Sequence, residues 1–557
     1  MKPRFFARRI LPVMLAMVTL TALVFSGPST NFLSLSGVAK PGAGVAQALE
    51  DPGRGDIPSG LLAHLSQSVS TAYWSQHPDQ APARVAQALN EIRQQREPSG
   101  RHVHNCTNSG NRDVYNCDDL GLPQNEESIA SCPTNDNLVL GGTNDYRGLV
   151  DPQGNFTGWH FSTDGGHSIT NEGLLPPVTL VRFPPSREVP SGGDPVDFIP
   201  AGCDSLYAAS LVYNPFNPFG DANGVAVYKT TPAILAACPG GSDPSCWPVR
   251  RPVAEADESH FLDKEWLFVG IQNGIRYVWV TYSDFAIAQT GAEIKAVRCD
   301  ENLVTCTQPI PISTIDRDVQ FSDVTVAADG RAYITWVRID GELEQTDQIF
   351  TIKYRSETAP GSAVFGPEKI VHVEERAIPF GGFIRENDFR VATYPKSDIV
   401  IFNGHPRAFV VWDACRVRLF GFLCEEAEIK LKYSDDDGTT WVGPIILSNG
   451  ADNYFPTISA DRDGSPRLAA AWYTNERDVG FRNQQDVVGT SIKVDTGEST
   501  GLKRLTTSSN EPEADPLLGG VFIGDYIEGV LGGFGPPFNE LPANNQQDNY
   551  LTITGLR

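Results

Sequence analysis

A β-rich unit returns along most of this chain, at 125–147, 193–214, 263–285, 321–340, 394–414, 455–475 and 524–533. In each copy, a strand-like run is followed by a turn and then by a second run that often ends in an aromatic residue. From Glu127 to Asp525 the six intervals average about 66 residues, enough for four strands each. Because such repeats bury their faces only by stacking on one another, the pattern predicts a propeller or solenoid.

The seven copies favour an all-β propeller of seven four-stranded blades. Six blades remain an alternative if the first or last copy is a closing strand shared between the chain ends. Residues 549–557 are expected to supply a strand of the incomplete last copy. Four tryptophans recur late in the second run and are interpreted as packing between blades, namely Trp279, Trp336, Trp412 and Trp472.

The N-terminal region differs from the repeats. Basic residues precede an apolar run at 10–25, which is typical of a secretory signal, so residues 1–48 are interpreted as a leader, with an uncleaved membrane anchor as the alternative. Residues 49–104 show helical apolar spacing and are predicted to form a helical or poorly ordered N-terminal segment. The propeller is assigned to 105–557, with no membrane span after leader cleavage.

The cysteines agree with export. Their even number predicts disulfides in a secreted, extracellular or cell-surface protein, with zinc ligation as the alternative, although the chain has no CxxC. The spacing suggests local pairs and leaves Cys132 and Cys203 over. These pairs are Cys106 with Cys117, Cys238 with Cys246, Cys299 with Cys306 and Cys415 with Cys424.

The net charge of −24 argues against nucleic acid as a partner, because such a chain repels phosphate backbones. The expected partner is a glycan or a cell-surface protein, and the protein is expected to be a monomer. No cofactor is required by any motif, although carboxylates around the axis could hold Ca²⁺.

One motif occurs twice. Residues 434–441 fit Ser-x-Asp-x-Gly-x-Thr-Trp in full, and 162–169 fit it with Ile169 in place of the tryptophan. The Asp is expected to accept backbone N–H bonds in a tight turn, and the Gly to take positive φ. The residues concerned are Ser162, Asp164, Gly166, Ser434, Asp436, Gly438 and Trp441.

This motif resembles the Asp-box, or bacterial neuraminidase repeat (BNR repeat), of the sialidase superfamily of secreted propellers. The resemblance covers about 126–557. It implies that the Asp-boxes lie on one face and that ligands bind on the other. It also implies an exo-sialidase-type glycoside hydrolase chemistry, with a Tyr nucleophile beside a Glu, an Asp acid/base and three arginines on the ligand carboxylate. The family's Phe/Tyr-Arg-Ile-Pro motif is absent, and VRFPP at 181–185 falls after the first Asp-box.

Polar residues recur where first strands begin and second strands end, and a glycan pocket is expected there. Asp194 or Asp263 is the candidate acid/base, and Tyr526 with Glu528 is the candidate nucleophile pair, since i and i+2 of a strand share a face. The candidate ligand-binding residues are Arg147, Arg390, Arg477, Lys264 and Asp145.

These observations favour a secreted propeller that binds glycans or surface proteins. The alternative is an exo-sialidase-type hydrolase that uses Tyr/Glu and Asp with an arginine carboxylate clamp. A third candidate is another hydrolase or lyase that acts on acidic polysaccharides. Whether the chain is an enzyme therefore remains open at the level of sequence.

Overall fold

The computed structural model describes residues 61–552, except 95–112, 116–121, 289–290, 342–347, 381–382, 388, 420–422, 462–465, 479, 507–508, 516, 519–521, 530–536 and 541–547. All described residues belong to one compact unit, 41–557. The leader assigned to 1–48, as well as Cys106 and Cys117, lies outside the described residues.

Six sheets form the blades, and each contains four antiparallel strands in chain order from the first strand to the fourth. Blades one to three are β2–β5 (Gln124–Cys132, Asn135–Asp145, Thr157–Ser162, Asn171–Leu174), β8–β11 (Val196–Phe198, Leu206–Val212, Asn223–Thr230, Val249–Ala256) and β12–β15 (His260–Gln272, Ile275–Ala286, Ala292–Asp300, Ile310–Pro311). Blades four to six are β16–β19 (Val319–Val326, Ala332–Asp340, Ile349–Ser356, Lys369–Glu374), β21–β24 (Lys396–Phe402, His405–Leu419, Leu423–Ser434, Val442–Ile446) and β25–β28 (Asn453–Ala460, Leu468–Thr474, Asp486–Ile492, Lys503–Arg504).

The remaining strands lie outside this pattern. β20 (Phe383–Ile384) pairs in parallel with β23. β6 and β7 (Val178–Leu180, Arg187–Val189) form a two-stranded sheet, and β1, β30 and β29 (Asp113–Tyr115, Asp548–Thr552, Pro537–Glu540) form a three-stranded sheet. The strand expected near 549–557 therefore exists, but it pairs with β1 and β29.

The all-β propeller is confirmed, and the described residues form six four-stranded blades, which is the alternative and not the preferred seven. The described part of the seventh copy, 524–529, lies beside two existing blades. Glu528 accepts hydrogen bonds from the Ile129 N–H (3.1 Å) and the Ser128 hydroxyl (2.9 Å) of β2. Ile527 belongs to the same hydrophobic cluster as Tyr454 of β25. Residues 522–529 thus join the first and last blades instead of starting a further sheet.

Helices of the expected N-terminal segment are present at 61–94, and the rest of 49–104 lies outside the described residues. Helices α1 (Leu61–His64), α2 (Gln67–Gln76) and α3 (Ala83–Gln94) precede the blades, and α4 (Pro232–Ala237) lies within the second blade. Leu65, Val69 and Trp74 are buried in the same hydrophobic cluster as blade residues, so the helices are packed onto the propeller. No helix in the described part of the chain is long and apolar enough to span a membrane.

The four tryptophans are buried as expected, and the described cysteines form disulfides as expected. Trp279, Trp336, Trp412 and Trp472 are at most 1% exposed. Disulfides join Cys238 to Cys246, Cys299 to Cys306 and Cys415 to Cys424, and the two cysteines left over, Cys132 and Cys203, pair with each other. The four disulfides among the described residues fit a protein of an oxidising, extracellular environment.

Candidate functional site on the axial face

Strand pairing separates two faces of the propeller. In the first blade, Gln124 at the start of β2 pairs with Asp145 at the end of β3, whereas Ser162 at the end of β4 pairs with Val139 near the start of β3. The same alternation holds in the fifth blade, where Ser434 pairs with Ala408. The starts of first strands and the ends of second strands therefore share one face, called the axial face here, and the two motif turns lie on the opposite face.

The two motif turns have the same hydrogen bonds. The Ser162 hydroxyl donates to Asp164 (2.8 Å) and accepts from the Gly166 N–H (2.8 Å). The corresponding distances for Ser434 with Asp436 and Gly438 are 2.9 and 2.8 Å. Gly166 and Gly438 have φ of 79° and 77°, which is the positive φ expected for both glycines. Trp441 donates from Nε1 to the Gly438 carbonyl (3.2 Å).

A left-handed backbone conformation recurs where the first strands begin. Non-glycine residues there have φ of 50–56°, namely Glu126, Asp194, Lys264, Phe321 and Phe455. At all of these except Asp194, which precedes β8, the pairing register of the first strand shifts at this point. Such conformations are strained for residues with a Cβ and concentrate at functional sites. This recurring bend is called the entry kink below.

Three of the entry-kink side chains meet one another. The ammonium of Lys264 lies 3.3 Å from Oδ2 of Asp194 and 3.5 Å from Oε1 of Glu126. It also lies 2.6 Å from Oδ2 of Asp525, which belongs to the segment between the last and first blades. Because all four residues are at most 3% exposed, these ion pairs are shielded from water.

Arg390, which precedes the fifth blade, completes this group. Its Nε donates to Oδ1 of Asp525 (3.0 Å), and a second guanidinium nitrogen contacts Oδ2. We call Glu126, Asp194, Asp263, Lys264, Arg390 and Asp525 the axial cluster.

Burial and neighbouring charges separate the protonation states of these acids. Burial raises the pKa of Asp263 to about 8, because the attraction of Lys264 only partly offsets it. Burial and the nearby Asp194 carboxylate also raise the pKa of Glu126 well above its usual value. For Asp525, burial opposes ionisation, but Arg390 and Lys264 outweigh it and lower the pKa. At neutral pH, a protonated Asp263 therefore lies in one cluster with an ionised Asp525.

The N-terminal segment contributes a residue that sequence reasoning missed. The Ser66 N–H donates to Oδ2 of Asp263 (3.0 Å), and the Ser66 hydroxyl donates to Asp194. These contacts join residues 197 and 128 positions apart, and no local motif around Ser66 marks them. Oδ1 of Asp263 is buried and has no hydrogen-bond partner among the described residues.

The predicted ligand-binding residues divide into two groups. Lys264 and Arg390 belong to the axial cluster. Arg147 instead pairs with Asp145 two residues before it, with Nε 2.8 Å from Oδ2, in the loop after β3. Arg477 is exposed in the loop after β26.

The predicted nucleophile pair also separates. The Tyr526 hydroxyl donates to the Pro195 carbonyl (3.2 Å), whereas the Glu528 carboxyl group accepts a hydrogen bond from Ser128 of β2. Burial raises the pKa of Tyr526 well above its usual value and that of Glu528 to about 7. A low tyrosine pKa would favour a nucleophile, so this environment works against activation.

Aromatic rings surround a buried lysine beside Tyr526. Nζ of Lys396 lies 2.8 Å from the ring centroid of Trp266, 4.9 Å from that of Tyr394 and 5.1 Å from that of Tyr526. Burial lowers the pKa of Lys396 to about 7, although Asp323 and Glu528 partly oppose this effect.

The residues that the structure describes contain no group of three or more His, Cys, Asp or Glu side chains that could hold a metal ion. In the axial cluster, both cations, Lys264 and Arg390, already contact the ionised Asp525.

No family model and no curated protein matches the chain. Among solved structures, an α-L-arabinofuranosidase of Fusarium graminearum is similar at 11% identity and a TM-score of 0.39, covering 67% of this chain and 94% of its own. A Hadza microbial sialidase is similar at 11% identity and a TM-score of 0.37, covering 63% of each chain. An endo-arabinase of Bacteroides thetaiotaomicron is similar at 15% identity and a TM-score of 0.29, covering 50% of this chain and 88% of its own. The function proposed below therefore rests on the axial cluster.

Proposed function

We propose that this protein is a secreted, glycan-binding propeller whose ligand contacts the axial cluster. The observation that carries the proposal is the convergence of Glu126, Asp194 and Lys264 from three entry kinks onto one buried point. Natural ligand sites place a few polar groups in a shielded setting, and strained backbone is retained at such sites.

The chemistry of the cluster suits sugar hydroxyls. Asp194 and Asp263 accept hydrogen bonds from one hydroxyl and one N–H of Ser66, so their oxygens are already oriented towards such donors. Oδ1 of Asp263 is a further buried polar atom available to a ligand. Buried polar atoms without partners are uncommon and call for an explanation such as a ligand or water.

The test is retention on an array of immobilised oligosaccharides, comparing the wild-type chain with Asp194→Asn. We expect the variant to lose about tenfold or more in retention, because one buried oxygen acceptor is replaced by an NH₂ group that only donates. Asp204→Asn is the matched control, since Asp204 pairs with Arg276 on an exposed surface. Equal retention by wild type and Asp194→Asn, or no retention by either wild type or the Ser66→Ala variant described below, would contradict the proposal.

A glycoside hydrolase is the second candidate, and the separated pKa values favour it. A protonated Asp263 near an ionised Asp525 supplies the acid and the carboxylate that glycoside hydrolysis requires. In this version Asp263 keeps the acid role given above, whereas Tyr526 and Glu528 take none. Released sugar measured by mass spectrometry should disappear in Asp263→Asn and should decline above pH 8, where Asp263 loses its proton. Undiminished release by that variant would exclude this candidate.

A further inference from the structure

One short stretch of the N-terminal segment occupies the axial cluster. Besides the two bonds from Ser66 to Asp263 and Asp194, the guanidinium of Arg390 donates to the Leu65 carbonyl (3.1 Å). The Ser66 hydroxyl also lies 2.9 Å from that of Ser68. A hydroxyl, an N–H and a carbonyl from adjacent residues thus satisfy three different members of the cluster.

The helix that follows is inserted rather than laid on the surface. The first five residues of α2 are all buried, and four of them are polar: Gln67, Ser68, Ser70 and Thr71. Such residues are mostly exposed in proteins, so their burial here requires polar groups around them. The helix begins beside Asp194 and Asp263, where the positive end of its dipole faces carboxyl groups.

We propose that residues 65–68 act as an internal ligand of the axial cluster, and that the sugar which displaces them is uncharged. This inference rests on the glycan-binding function proposed above. Each contact made by Leu65 and Ser66 can be replaced by a hydroxyl, which both donates and accepts. A neutral sugar therefore matches what the segment now supplies.

An acidic sugar is a poor match because both cations are already paired. Arg390 holds Asp525 through two contacts, and Lys264 is within 3.5 Å of Asp525, Asp194 and Glu126. A ligand carboxylate would have to break one of these pairs and would leave Asp525 facing another negative charge. Like-charge contact in a buried site is strongly unfavourable.

A second attachment of the N-terminal segment involves no residue of the axial cluster and can be altered separately. In α3, the guanidinium of Arg84 donates to the Glu513 carbonyl (3.1 Å) and the Asp515 carbonyl (2.7 Å). Loosening this attachment should increase the fraction of molecules with an open site, and apparent affinity rises in proportion to that fraction. Arg84→Ala therefore tests the internal ligand without altering the axial cluster.

The experiment compares wild type, Arg84→Ala and the control Gln87→Ala, whose exposed side chain donates a hydrogen bond to Glu91 of the same helix. The probes are neutral oligosaccharides and the sialylated form of each, immobilised on one array. Hydrogen exchange of residues 67–76 is measured in parallel by mass spectrometry. We expect Arg84→Ala to retain neutral sugars about fivefold or more better than wild type and to exchange faster at 67–76. Gln87→Ala should match wild type.

Ser66→Ala provides a second route should Arg84→Ala not fold. It removes the hydroxyl that donates to Asp194 and keeps the N–H that donates to Asp263. We therefore expect a smaller increase in the retention of neutral sugars than in Arg84→Ala. Neutral sugars bound equally by all proteins, with unchanged exchange at 67–76, would overturn the internal ligand. Preference for sialylated probes would overturn the uncharged class. Faster exchange with no sugar bound by any protein would instead overturn the glycan-binding function on which the inference rests.

Discussion

Arg390 and Asp525 form a buried ion pair through two contacts, although they lie 135 residues apart. Asp525 also lies 2.6 Å from the ammonium of Lys264. We expect Asp525→Asn to lower the free energy of unfolding by about 3–5 kcal/mol, because two buried cations lose their main counter-charge. Urea denaturation measures this loss. Asp340→Asn, which affects a partly exposed pair with Arg338, should cost less than about 1 kcal/mol, and equal losses would contradict the prediction.

Trp441 tests the motif turn at 434–441 of the fifth blade. Its ring is half-buried and meets Tyr354 edge-on, with centroids 5.5 Å apart. A fully buried tryptophan would cost about 3–5 kcal/mol on truncation, so for this ring we expect about 1–3 kcal/mol in Trp441→Ala. Thermal unfolding followed by circular dichroism should show it. No change in stability would mean that the ring does not hold the turn.

Gly438 and Gly404 allow steric conflict to be separated from backbone strain. Both have positive φ, 77° and 81°. A Cβ on Gly438 would lie 2.7 Å from Cδ1 of Tyr354, whereas one on Gly404 would meet nothing within 4 Å. Alanine should cost about 1–2 kcal/mol at Gly404 and a further 1–3 kcal/mol or so at Gly438, measured by chemical denaturation. Equal costs would show that Tyr354 moves aside freely.

Lys396 makes stability depend on pH in the alkaline range. Its pKa is lowered to about 7, so between pH 7 and 10.5 the unfolded chain keeps a proton that the folded protein has lost. Stability of the wild type should therefore rise with pH over that window, and Lys396→Met should lack this rise. From pH 8 to 10, the free energy of unfolding of wild type should rise by about 2 kcal/mol relative to that of Lys396→Met, as measured by urea denaturation. Parallel curves of stability against pH for wild type and Lys396→Met would contradict this prediction. The control is Lys493→Met at an exposed position, whose curve should run parallel to that of wild type.

Much of the fold could be predicted because it repeats. Each copy of the β-rich unit predicts the same pair of strands, and the tryptophans at equivalent positions predict the same packing between blades. The blade count could not be settled in this way, because the copy at 524–533 resembles the others in its first residues. What distinguishes it is a hydrogen bond from the Ile129 N–H of β2 to Glu528. These two residues are 399 positions apart in the sequence.

The candidate site could be predicted only in part, and for a related reason. Asp194, Asp263, Lys264 and Arg390 stand where strands begin on one face, and this position follows from strand order. Ser66 occupies no such position, and the polar sequence of α2 gives no apolar stripe that would mark a buried helix. The pairing of Arg147 with Asp145, rather than with the cluster, is likewise decided by side-chain packing.

The entry kink has a consequence for how such a protein diversifies. The bend is a property of the backbone and its register shift, and it holds a carboxylate at Glu126, an ammonium at Lys264 and a phenyl ring at Phe321. Since the main chain is similar in all three, a point substitution there can exchange acid, base or aromatic ring without any insertion or change of blade. Selection can thus alter what the axis recognises one residue at a time, while the hydrophobic contacts that hold the blades together stay the same.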